Sequence, residues 1–162
     1  MKKILRFVFN MVFYPLTYIN FFKLKEKAQK SSFFYKIYMN RCKREHCLIF
    51  PDQYWKSKPI FVHGLNGINI NNSSKIGKNV KIFQMVQIVN SGIEWDKCAV
   101  IGDNVVIGAC AIIIGDISIG DNVVIGAGSV VTKSIPDNTM VVGNPAHPIK
   151  KYNLSKKTWE KI

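Results

Sequence analysis

Acidic residues are scarce in this chain, and so are histidines, disulfide patterns and long apolar runs. Ten Asp/Glu stand against 23 Lys/Arg in 162 residues, a formal net charge of +13. The imbalance is uneven: residues 1–62 carry 13 Lys/Arg and 3 Asp/Glu, and residues 63–162 carry 10 and 7. A basic end of that kind suits nucleic acid, an anionic membrane surface or a phosphorylated substrate. Helix-turn-helix, zinc-finger and aromatic RNA-binding patterns are all missing, which argues against nucleic acid as a partner. The four cysteines, Cys42, Cys47, Cys98 and Cys110, follow no disulfide-framework spacing and fit a reducing, cytoplasmic compartment. Cys42, His46 and Cys47 lack a second ligand pair at zinc spacing, so no metal site is expected. The remaining histidines, His63 and His147, are not placed to converge with His46 on one ion.

The apolar run from Phe7 to Phe22 is broken by Asn10, Pro15 and Asn20, and falls short of the roughly 20 residues that span a bilayer. No small-residue cleavage site follows it. Residues 1–47 read as a helical, basic and aromatic segment. For residues 1–30 two readings stand side by side. One is a helical cap packed on the domain or on a neighbouring subunit. The other is an interfacial anchor at the inner face of the cytoplasmic membrane, with aromatics among the headgroups and lysines towards phosphates.

What the sequence does have is a period of six. Ile70, Ile76, Ile82 and Ile88 open it, and Ile101, Ile107, Ile113, Ile119, Ile125 and Val131 continue it. Six is three times the strand period, so these residues face one side of a strand-like path. Val105, Ala111, Ile117, Val123 and Ser129, two places earlier in each hexad, face the same way. A fixed hexapeptide period indicates a parallel β-helix. The step from Ile88 to Ile101 is thirteen, one more than two hexads, so a loop near residues 89–99 is expected to leave the coil. Three prolines then close the solenoid, and residues 152–162 read as a tail, a short helix or a frayed end. Counting back by six from Ile70 puts His63 on an outward position, one 18-residue coil below Lys81.

The stretches 63–70 (HGLNGINI), 76–88, 98–131 and 135–151 (IPDNTMVVGNPAHPIKK) resemble bacterial hexapeptide-repeat acetyltransferases, within them the serine-acetyltransferase-like branch that modifies capsule, colanic-acid or O-antigen sugars. The resemblance implies a mainly β fold, a left-handed parallel β-helix over residues 48–151, and acetyl-CoA as acetyl donor. It also implies a homotrimer, whose outward apolar residues Val106, Ile112 and Val124 would be covered by neighbours. It makes His63 the catalytic base, and the chemistry agrees. A hydroxyl attacking a thioester must lose its proton, and an imidazole takes up and returns protons near neutral pH. The family's cofactor groove implies Gly108, Ala109, Gly126 and Ala127 along the pantetheine arm, and Lys133, Pro145, Lys150 and Lys151 at the nucleotide end. Gln84, Glu94, Asp96 and Cys98 are the candidate acceptor-binding residues. A backbone carbonyl, Asp52, Glu94 or Asp96 is left open as the group that orients His63.

Two departures stand out. Serine acetyltransferases carry an aspartate fifteen residues before the catalytic histidine, where this chain has Leu48. They carry a second histidine where this chain has Cys98, read here as a small buried thiol. Both changes weigh against serine. The expected acceptor is therefore a hydroxyl of a cell-surface polysaccharide sugar or its precursor, as a small molecule or lipid-linked. Serine O-acetylation is the alternative, and a non-catalytic structural solenoid is the alternative of another class.

Overall fold

A computed structural model describes residues 40, 48–49, 56–57, 59–94 and 96–162. The expectations for residues 1–30 and for Asp52 lie outside the described residues. The described residues from Leu48 onward fall in one compact unit, Cys42–Ile162, and their parallel coils form a left-handed β-helix. Among the described residues no helix is long and apolar enough to cross a membrane.

The chain winds round three sheets. Sheet A holds β1 (Leu48–Ile49), β3 (Asn69–Ile70), β6 (Gln87–Val89), β9 (Ile112–Ile114) and β12 (Val130–Val131). Sheet B holds β4 (Lys75–Ile76), β7 (Val100–Ile101) and β10 (Ser118–Ile119). Sheet C holds β2 (Ile60–Phe61), β5 (Lys81–Ile82), β8 (Val106–Ile107) and β11 (Val124–Ile125), then β13 (Thr139–Val142), β14 (His147–Asn153) and β15 (Thr158–Lys161). Pairing is parallel up to β13, and each coil hydrogen-bonds to the next. The hexad residues stack in the axis of the coil: Ile70 on Ile88 on Ile113 on Val131, and Ile82 on Ile107 on Ile125 on Val141. All are nearly or fully buried. Each such side chain contributes about 1.5–3 kcal/mol by leaving water. Of the partners two places earlier, Val105, Ala111, Val123 and Ser129 are buried and Ile117 is half-buried.

The corners explain the other repeated letters. Asn79, Asn104, Asn122 and Asn138 all have φ near +56 (55 to 57), a conformation that asparagine tolerates better than most side chains. Their amides form a ladder, Asn79 Nδ2 donating to Asn104, Asn104 to Asn122 and Asn122 to Asn138. Beside it the carboxylates of Asp103, Asp121 and Asp137 accept from the backbone N–H of Lys78, Asp103 and Asp121. The G-K/D-N-V phrase therefore builds one corner, between sheets B and C. Gly77, Gly102, Gly108 and Gly120 are glycine because a Cβ there would run into the backbone of the next coil.

Three departures from an 18-residue coil position everything of interest. The first is Phe61 to Ile70, nine residues from sheet C to sheet A instead of six, because the turn 62–67 holds three more. The second is Ile88 to Ile101. These are neighbouring faces one hexad apart, so the loop 90–99 contains seven extra residues rather than one. The third is Val131 to Ile135, two residues short, with Ile135 bridging to Ile119. The tail also differs from expectation. Residues 158–161 form a strand, antiparallel to β14, which itself runs antiparallel to β13. Tyr152 and Trp159 face each other across that hairpin, ring centroids 5.2 Å apart.

Candidate functional site

His63 lies in the enlarged turn after β2, at the corner between sheets C and A. It does not stand over Lys81. The pairing of Ile60 with Lys81 and Phe61 with Ile82 sets that coil at 21 residues, so His63 meets Gln84 and Phe83 instead. The reason is local. Leu65 and Ile68 of HGLNGI are both buried, and Gly64 and Gly67 both take positive φ, +77 and +64. Two anchors and two glycines let the turn swell outward with His63 at its exposed end. The turn is tied to the coil above by Met85 N–H donating to the Asn66 carbonyl (2.8 Å) and Gln87 Nε2 donating to the Gly67 carbonyl (2.7 Å).

Among the described residues the imidazole meets Gln84 and Phe83. Its Nδ1 is 2.7 Å from Gln84 Oε1. Its ring meets Phe83 edge to face, with centroids 5.3 Å apart and planes at 87°. Of the orienting groups left open by the sequence, neither Glu94 nor Asp96 contacts it in this chain; Glu94 is engaged with Lys97 at 3.1 Å. That exposed pair raises the Lys97 pKa, chiefly through the hydrogen bond from its ammonium to Glu94.

Gln84 starts a column on this corner. The Cys110 N–H donates to the Gln84 carbonyl, and the Gly128 N–H to the Ala109 carbonyl. Gln84, Ala109 and Ala127 thus follow one another up successive coils, small after the first. Met85, Cys110 and Gly128 form the adjacent column, all at positive φ (61, 60 and 68). Gly108 and Gly126 are spoken for by packing, since a Cβ on Gly108 would meet Ala127 backbone and one on Gly126 the Val142 side chain. Gly128 faces open space. Pro145 lies in the strap 143–146, whose Ala146 N–H donates to Val130, next up the same corner. Lys150 and Lys151 pair with Met140 and Thr139 at the top of sheet C. Lys133 is exposed in the turn leading from sheet A to sheet B, at the other edge of sheet A from this column.

Glu94, Asp96 and Lys97 are exposed on the loop 90–99, which also leaves sheet A by the edge away from His63. Cys98 ends that loop and is 3% exposed; Ser74 Oγ donates to its sulfur at 3.3 Å. It is a buried thiol that faces inward. Within one chain the structure therefore brings together His63 and Gln84, and sets Glu94, Asp96 and Cys98 apart from them. The sequence reading missed Phe83 and the His63–Gln84 contact. The signal was the doubled glycine round a buried leucine, which cannot fit a six-residue step. A separate groove of roughly 320 Å³ runs over sheet B, lined by Lys56, Lys75, Val100, Ser118, Asp121 and Asp137 among others; it does not include His63.

Residues 98–133 match the family model for bacterial transferase hexapeptide (six repeats). Serine acetyltransferase of Staphylococcus epidermidis is 46% identical over 95 residues, 57% of this chain and 44% of that protein. The chain thus spans less than half the length of that relative. Among solved structures, serine acetyltransferase of Brucella abortus in complex with coenzyme A superposes with a TM-score of 0.73 at 28% identity, covering 88% of this chain and 59% of that one. Soybean serine acetyltransferase complexed with serine gives 0.67 at 32%, covering 78% and 53%. These relatives correct the expectation of a polysaccharide sugar as acceptor: the proteins that this chain is similar to are serine acetyltransferases, the reading that Leu48 and Cys98 had placed second.

Proposed function

We propose that this chain is an acetyl-CoA-dependent O-acetyltransferase of the serine acetyltransferase type, with His63 as general base. The observation that carries it is the exposed imidazole, bonded at Nδ1 and with no partner at Nε2 among the described residues, at the foot of a column of small residues. Ala109 and Ala127 leave room along the corner for an extended pantetheine arm, and Pro145, Lys150 and Lys151 lie towards its far end. The donor brings an acetyl group activated as a thioester. His63 Nε2 takes the hydroxyl proton of the acceptor as its oxygen bonds to the acetyl carbon. The carbon–sulfur bond breaks, and the imidazolium gives the same proton to the departing sulfur, leaving an acetyl ester and free CoA thiol.

A zwitterionic acceptor needs a carboxylate and a cation to hold it. The loop 90–99 offers both, in Glu94, Asp96 and Lys97. They reach His63 if three chains pack side by side, so that the loop of one chain closes the site of the next. The apolar, half-buried outward residues Val106, Val124, Ile112 and Val130 suit that lateral packing.

Full-length protein incubated with acetyl-CoA and L-serine should release CoA thiol and form O-acetylserine, followed by a thiol reagent and by mass spectrometry. His63→Ala should lower turnover at least about a hundredfold with CoA binding by calorimetry unchanged. Serine left unacetylated at millimolar concentration would remove serine as acceptor, and failure to bind acetyl-CoA would remove acyl transfer altogether.

A further inference from the structure

We propose that Gln84 is the positioning residue of this site: its side-chain oxygen fixes His63 as the Nδ1–H tautomer and so leaves the Nε2 lone pair facing outward. The role rests on His63 being the base, but its geometry does not. An amide oxygen only accepts hydrogen bonds. At 2.7 Å from Gln84 Oε1, Nδ1 must therefore carry the proton, and the other ring nitrogen carries the lone pair.

Gln84 is well placed to hold a ring. It is half-buried, and its backbone is clamped on both sides. Its carbonyl accepts from Cys110 N–H (3.0 Å) in the coil above, and the next residue, Met85, donates to Asn66 (2.8 Å) in the turn below. Met85 holds φ of 61 while the other residues of this column include Gly128, so the chain keeps a costly backbone conformation beside the site. Phe83 packs against the imidazole in a T-shaped contact and limits its rotation on a second side. The partner is a neutral amide, whereas the branch that this chain resembles places a carboxylate upstream, where Leu48 stands. Gln84 orients the ring without adding charge. The other charged or titratable groups on the described elements packed against this turn are Lys81 on β5 and the Cys110 thiol in the coil above, both exposed.

The test uses full-length protein labelled with ¹⁵N at histidine. Long-range proton–nitrogen spectra above the imidazole titration should show His63 protonated at Nδ1. Gln84→Met, of similar volume but without an acceptor, should release it into a mixture of tautomers. The same variant should lower kcat by more than about tenfold, short of the roughly 10⁴-fold loss that follows when a catalytic histidine is held wholly in the wrong tautomer, with KM for acetyl-CoA unchanged. Gln84→Glu should keep the Nδ1–H form and move the acid limb of the rate profile to higher pH, because a carboxylate favours the imidazolium. A merely structural glutamine would move neither tautomer nor pH profile. Finding the wild-type ring protonated mainly at Nε2, or unchanged in Gln84→Met, overturns the inference, and the wild-type spectrum decides even if the variants fail to fold. A wild type that holds Nδ1–H yet transfers no acetyl group would count against the acyltransferase reading and leave the tautomer assignment standing.

Discussion

Asp103 shows how one side chain does several tasks on this corner. Its Oδ1 accepts the Lys78 backbone N–H at 2.8 Å and lies 3.6 Å from the Lys56 ammonium. The backbone hydrogen bond is the largest cause that holds its pKa below the usual carboxylate range, with Lys56 adding to it. A carboxyl depressed in the folded state contributes stability above its unfolded pKa and loses it as pH falls through the folded value. The urea midpoint should therefore fall as pH drops below about 4, and Asp103→Asn should flatten that fall. An unchanged acid slope in Asp103→Asn would show that other carboxylates govern it. At this scale the sequence was legible for His63, because histidine is rare here and HGLNGI is distinctive. It was illegible for the contact with Gln84, because three residues added in a turn shift every later neighbour, and no period-six count registers them.

The strands were the most legible elements. A strand of two residues has no local signal of its own, yet Ile or Val at every sixth place made β3 to β12 visible, since the core accepts little else; β2 (Ile60–Phe61) stands off that period and carried no such mark. The loop 90–99 was visible as a break in that period but mis-sized, because the count assigned Ile101 to the wrong face. The terminal hairpin was hidden: lysines in a tail read equally as helix or coil, and it is the pairing with β13 and the Tyr152–Trp159 contact that make it sheet. The loop offers the clearest test at this scale. Replacing residues 91–97 by a short Gly–Ser turn should leave the melting transition cooperative, because the buried stacks lie outside it. The KM for the acceptor should rise more than about tenfold, as lost charged contacts of this kind cost more than about 1.4 kcal/mol, with KM for acetyl-CoA unchanged. An acceptor KM within twofold of wild type would free the loop from any role in binding.

For the molecule as a whole, the proposed sharing of sites between chains makes assembly a condition of activity. Light scattering at micromolar concentration should give three times the 18.4 kDa chain mass. Mixing inactive His63→Ala with the loop-replaced chain should raise the activity measured at low acceptor concentration above that of either chain alone, since some sites would then join an intact histidine to an intact loop. A mass of one chain, or no recovery on mixing, would count against shared sites.

A stack of parallel coils poses a hazard that the far end of this one avoids. Each coil offers its backbone groups to the next, so a bare final coil would template a second molecule, and then a third, into a fibre. Here the last rungs are already used. The strap 143–146 takes up the backbone of Val130, and sheet C reverses direction into β14 and β15. The outermost strand, Thr158–Lys161, ends the sheet with Glu160 and Lys161 on its edge. Lys150, Lys151, Lys156 and Lys157 crowd the same end, and two such ends meeting within a Debye length of about 8 Å would repel. Growth along the axis is thereby closed at this end, and contacts with another copy on this side of the molecule fall to the flanks.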